Sequence, residues 1–242
     1  MKEHLVHLYQ RAADLAQTVA EYLVAGLRND EAAILIATPA HRRAFLRELA
    51  RAGYAPGPAL VVLDAEETLA RFMSGGQPRW KPFHEAVGGL IAELRLRHPG
   101  VRAYGEMVDV LWQREERDAA VRLEEYWNEL GKLQTFSLLC AYFMDPLDER
   151  AYRGPLECVC KTHTHLLPAR DFARFNDAVP AASRAVLDQP LAQMLMRLAS
   201  SHRPRTEMPF GQAALIWLKQ NMPRTAEKVL KEARSLYAAA AA

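Results

Sequence analysis

The run Ala32 to Ala37 reads AAILIA and holds no polar side chain. Such a strand belongs in a sheet covered on both faces. That is the setting of parallel strands, whose crossovers lay helices on each side. Other strand-like apolar runs are His4 to Tyr9, Ala59 to Leu63, the segment from Val101 to Tyr104-Gly105, Phe136 to Tyr142, and Leu156 to Thr162. Amphipathic segments separate them. In Arg11 to Leu27 the residues Leu15, Val19, Tyr22, Leu23 and Leu27 recur at helical spacing. Phe45, Leu46 and Leu49 do the same in His41 to Ala52. Helices are also expected over Glu66 to Met73 and Lys81 to Arg97, up to Trp112, and around Leu123, Tyr126, Trp127 and Leu130. The alternation predicts an α/β fold, a mostly parallel sheet flanked by helices.

Right-handed crossovers put the C-terminal ends of all such strands on one edge, where ligands bind. Thr38, His41, Arg42, Asp64, Tyr104, Glu106, Tyr142, His163 and His165 fall there. His41-Arg42-Arg43 opens a helix and reads either as an anion site or as a solvated first turn. Glu106 reads as a general base or as an acid complementing a helix dipole. Asp64 reads as a helix cap. Trp112, Tyr126 and Trp127 read as core.

A phosphate loop after the first strand would need glycines, a lysine and a hydroxyl residue. Tyr9-Gln10-Arg11-Ala12-Ala13-Asp14 stands in that place, and the first glycine of the chain is Gly26. This argues against P-loop hydrolysis. Ser137 lies in an apolar run rather than on a glycine-flanked elbow, so no acyl-transfer triad stands out. Cys158-x-Cys160-x-x-His163-x-His165 has zinc-ligand residue types at a spacing that does not match the common zinc pattern. No enzyme, no metal and no cofactor is expected.

The 242 residues carry a net charge of +2, too little for a nucleic-acid footprint. MKEHLVHLYQ lacks a signal-peptide pattern, and no run approaches the ~18 apolar residues of a membrane span. Three cysteines argue against a disulfide framework, so a cytoplasmic location is expected.

Beyond Pro168 only helical patterns remain: Asp171 to Val179, Ser183 to Ser200, Gly211 to Asn221 and Arg224 to Tyr237. Leu187, Leu191, Leu195 and Leu198 lie on one side of the second, and Ser201 to Pro209 is a polar linker. The expected division is a domain over 1–168 and a helical C-terminal extension over 169–242. The last two helices, joined at Met222-Pro223, suit docking or homodimerisation better than reading DNA.

YGEMVDVLW, AAVRLEEYWNEL and FSLLCAY, in this order, resemble the methanogen/methylotroph, dichloromethane-regulator sensory domain, MEDS. HLVHLY, EAAILIATPAHRRAFLREL, LDAEETLARFM and the Cys160 to His165 segment fit the same family. The resemblance covers roughly His4 to Pro168. It implies a RecA/KaiC-like fold with a degenerate phosphate loop and a sensory role, with output through a partner protein. The resulting expectation is a non-catalytic signalling module binding a small ligand or partner at the sheet edge. The alternative is an interaction scaffold, and an unconventional nucleotide-dependent hydrolase ranks last.

Overall fold

The computed structural model describes residues 1–143, 162–168, 170–201 and 210–239. The expected strand Leu156 to Thr162 lies outside them apart from Thr162, and so do Cys158 and Cys160. The segment Leu147 to Tyr152, whose sequence suits a helix or turn, and nearly all of the linker Ser201 to Pro209 also lie outside. The chain divides into two compact units, Met1–Phe143 and Met144–Ala242.

The first unit is built on five parallel strands: β1 (Glu3–Tyr9), β2 (Ala32–Ala37), β3 (Leu60–Asp64), β6 (Val101–Gly105) and β7 (Ser137–Phe143). Their order across the sheet is β3-β2-β6-β7-β1. Every residue of β2 is buried, as its composition requires. Helices α1 (Ala12–Leu27) and α2 (Pro39–Arg51) cover one face. There Phe45 packs edge-on against Tyr104, with ring centroids 5.2 Å apart, and Arg102 lies over the Tyr22 ring. Helix α7 (Arg117–Leu133) covers the other face. Its Trp127 sits so close to the sheet that a Cβ on Gly105 would lie 3.3 Å from the indole, so β6 ends in the one residue that lets the helix down.

The structure shifts several expected helix limits. α2 begins at Pro39, two residues before His41, because proline suits the first helical position. The helix after Asp64, α3 (Ala65–Ala70), stops early. Short strands β4 (Met73–Ser74) and β5 (Gln77–Pro78) then pair antiparallel around Gly75 and Gly76. Their φ values of 60° and 73° are the two left-handed positions of a tight hairpin turn. The expected helix Lys81 to Arg97 is interrupted: α4 (Trp80–Phe83) and α5 (Gly89–Arg95) flank a π-helical turn, His84–Gly88. The Gln134 side chain donates to the Gly88 carbonyl at 3.1 Å, at the end of that widened turn. Helix α6 (Met107–Gln113) precedes α7.

The second unit holds a short strand, β8 (His165–Pro168), and four helices. These are α8 (Arg170–Val186), α9 (Gln189–Ser201), α10 (Phe210–Asn221) and α11 (Pro223–Ala239). The break expected near Val179 is absent. α8 continues through Pro180, and the helix changes at Asp188, whose carboxylate accepts from Leu191 N–H at 2.9 Å. Leu187 therefore lies between helices rather than on the face carrying Leu191 and Leu195. α11 turns Ala226, Val229, Leu230 and Ala233 inward. No helix among the described residues is long and apolar enough to cross a membrane.

Candidate functional site

The order of the strands makes a crevice. From β2 the chain moves outward to β3, and from β6 it moves the opposite way to β7. The C-terminal ends of β2 and β6 are therefore neighbours from which the chain departs in opposite directions, the place where open α/β sheets bind ligands. Thr38 leaves β2 there and Glu106 leaves β6.

Glu106 is 3% exposed, and its carboxylate accepts three hydrogen bonds. Thr38 N–H donates at 2.7 Å and the Thr38 hydroxyl at 3.0 Å. His41 Nδ1 lies 2.5 Å away. Thr38 stands at the N-cap position of α2 but does not cap it, because its side chain is turned to Glu106. Glu106 likewise stands ahead of α6 without capping it. The hydrogen bond to Glu106 raises the His41 pKa above its ordinary value, with burial opposing. Glu106 thus acts as a tie between two strand ends.

A second acid adjoins the first. Asp109, in the first turn of α6, is 4% exposed. It accepts from Tyr9 OH at 2.7 Å, Phe143 N–H at 2.9 Å and the Gln113 amide at 3.1 Å. Burial raises its pKa against the pull of these donors, and the charge of Glu106 adds to the rise. Burial, then the Asp109 charge, pushes the Tyr9 phenol well up. The Tyr9 ring also meets His41 at 5.9 Å and Phe143 at 5.6 Å, joining the two acid clusters along the edge.

Of the residues expected at the edge, the structure brings Thr38, His41 and Glu106 into one network. Arg42 and Asp64 lie beside it as an ion pair at 3.7 Å. Asp64 also caps α3, accepting from Glu66 N–H at 2.9 Å and Glu67 N–H at 3.1 Å. Tyr104 lies beneath the edge, fully buried, and its hydroxyl has no hydrogen-bond partner among the described residues. Burial, followed by the charge of Glu106, pushes that hydroxyl far up. Tyr142 does not reach the edge. Side chains alternate along a strand, so Tyr142 shares the α7 face with Cys140, packs on Trp112 and donates to Glu124 at 2.5 Å. His163 and His165 belong to the second unit, the first buried and the second exposed.

Tyr9 and Asp109 are the edge residues that sequence reasoning missed. Tyr9 closes an apolar run just as Tyr104 nearly does, and Asp109 is the one charge inside MVDVLW. An acid in an otherwise apolar helix is a legible signal of a buried partner.

A separate groove of about 620 Å³ lies between α1 and α2, lined by exposed residues such as Gln17, Glu21 and Arg51. It holds none of the edge groups.

Comparison with curated proteins and with solved structures finds no match. The family model of the MEthanogen/methylotroph, DcmR Sensory domain, MEDS, matches residues 3–164, and the chain belongs to that family.

Proposed function

We propose that this sensory domain reads its signal at the crevice between the C-terminal ends of β2 and β6, by binding and without catalysis. The observation that carries this reading is Glu106, a buried carboxylate bridging the two strand ends at the point where the sheet reverses. Its acceptor sites are taken by Thr38 and His41, which suits a structural tie better than a general base. The β1–α1 connection is only Gln10 and Arg11, and Arg11 is paired with Asp14 at 2.8 Å. Two such residues cannot wrap a phosphate through backbone N–H groups. The partly exposed His41 and Arg42 are the groups a small polar ligand meets first, and Tyr104 offers a hydroxyl beneath.

A metabolite and nucleotide screen read by thermal shift tests this. A ligand at a hundredfold excess over its Kd stabilises the fold by about 2.7 kcal/mol. The shift should vanish in Arg42→Ala while the circular dichroism spectrum is kept. No shift across the screen, together with intact signalling in His41→Ala and Glu106→Ala, would sink the proposal.

One observation favours a second reading, a protein-interaction scaffold. Met194 and Leu198, one turn apart on α9, are 50% and 36% exposed. Met194→Glu with Leu198→Glu should then abolish self-association or partner binding, measured by sedimentation, without changing ligand shifts at the edge.

A further inference from the structure

Beneath the sheet, away from the edge crevice, three side chains of different chemistry meet. His4 comes from β1, Cys140 from β7 and Glu124 from α7. All three are buried, at 1%, 0% and 0% exposure. His4 Nε2 lies 3.2 Å from Glu124 Oε2. Cys140 Sγ lies 3.5 Å from Glu124 Oε2 and 3.6 Å from His4 Nε2. We propose that these three atoms bind one divalent transition-metal ion, zinc or another ion of similar softness.

The triangle has the right size. Ordinary zinc bond lengths at tetrahedral angles put N and O about 3.4 Å apart, and put S about 3.6 Å from each. The three observed edges of 3.2, 3.5 and 3.6 Å each fall within about 0.2 Å of those values. One nitrogen, one oxygen and one sulfur on a single face make a donor set that selects zinc and its neighbours over magnesium or calcium. Completing the tetrahedron takes one further donor.

The surroundings orient two of the three ligands as metal sites require. The other ring nitrogen of His4, Nδ1, donates to Asn128 Oδ1 at 3.0 Å, which leaves Nε2 as the ligating lone pair. The second oxygen of Glu124, Oε1, accepts from Tyr142 OH, which leaves Oε2 facing His4 and Cys140. Asn128 lies one helical turn beyond Glu124 on α7, so one helix supplies both a ligand and the residue that aims another. A buried histidine–glutamate pair on its own contributes little stability, because desolvation offsets the attraction. A metal ion compensates the buried carboxylate and uses the thiol as well.

The test uses the full chain, stripped with a chelator and titrated with zinc alone and cobalt alone. The expected result is one equivalent per chain. The cobalt form should show the thiolate-to-metal charge-transfer band of a four-coordinate site. X-ray absorption should count a single sulfur. Cys140→Ala and Glu124→Gln should each weaken binding more than about tenfold, and Asn128→Ala should weaken it about 10- to 100-fold. A double variant, Cys158→Ala with Cys160→Ala, should bind like the parent. No thiolate band, a count of two or more sulfurs, or a band that survives Cys140→Ala would each overturn the assignment. The sulfur count is read on the unaltered protein, so it decides the matter even if Cys140→Ala does not fold.

Discussion

Thr38 donates to both oxygens of Glu106, through its backbone N–H at 2.7 Å and its hydroxyl at 3.0 Å, across 68 residues of sequence. Two strand ends of a parallel sheet are thereby joined by a side chain beyond the last ladder bond. Removing the acceptor leaves Thr38 N–H and His41 without their partner. Glu106→Ala should cost about 2–4 kcal/mol, read as a lower urea midpoint at unchanged slope. Glu106→Gln keeps one oxygen acceptor and should cost less.

The His41–Glu106 contact gives stability a defined pH dependence. His41 has its folded pKa raised, first by the hydrogen bond to Glu106. A raised pKa means that the folded state binds the proton more tightly. The contribution is therefore complete below the unfolded value of about 6.5 and fades as pH rises through the folded value. Urea midpoints of the parent minus those of His41→Gln should be largest near pH 6 and shrink at alkaline pH. A difference that grows with pH would contradict the assignment.

Asp109 moves stability with pH in the same direction as His41, through an acid rather than a base. Its folded pKa is raised by burial, so ionising it costs stability as pH rises from about 3.9 through the folded value. Asp109→Asn removes that charge. Its oxygen can still accept from Phe143 N–H and Gln113, while its amide can donate to the Tyr9 hydroxyl. The variant should fold within about 1 kcal/mol of the parent at pH 7. Asp109→Ala strands the Phe143 amide and the Tyr9 hydroxyl and should lose about 2–4 kcal/mol. Equal losses in the two variants would show that the carboxylate charge itself is required.

Tyr104 carries a fully buried hydroxyl with no hydrogen-bond partner among the described residues. An unsatisfied buried hydroxyl costs about 1–3 kcal/mol. Tyr104→Phe should therefore raise the melting temperature while keeping the edge-on contact with Phe45. If the hydroxyl is held for a ligand, the same variant loses ligand-induced stabilisation. A gain in stability with unchanged binding assigns Tyr104 to packing alone.

The sheet was legible because its strands are uniform. Ala32 to Ala37 has no polar residue, so its limits and its burial on both faces follow from composition. Asp64 was legible as a cap because the rule is local, one carboxylate and two nearby N–H groups. The site was legible only in outline. Glu106 could be placed at a strand end, but its partner Thr38 depends on which strands are neighbours, and a crossover order is not written in periodicity. Tyr142 was placed at the edge by its position and removed from it by its phase, since one residue along a strand changes the face. His4, Glu124 and Cys140 are separated by more than a hundred residues in part; the β1–β7 register puts His4 and Cys140 on one face, and α7 lays Glu124 against them. The tetrahedral spacing they make resides in no segment of sequence.

Strand β7 ends on two adjacent residues with unlike attachments. The Tyr142 hydroxyl holds Glu124 on the α7 face, and the Phe143 amide holds Asp109 at the edge. Strand ends ordinarily fray, opening one bond at a time. Here opening Phe143 strips Asp109 of a donor, and opening Tyr142 strips Glu124 of one, so each step of fraying leaves a buried acid short of a partner. Met144, where the second unit begins, is the next residue. Whatever loosens either acid therefore changes how firmly the end of β7 is anchored.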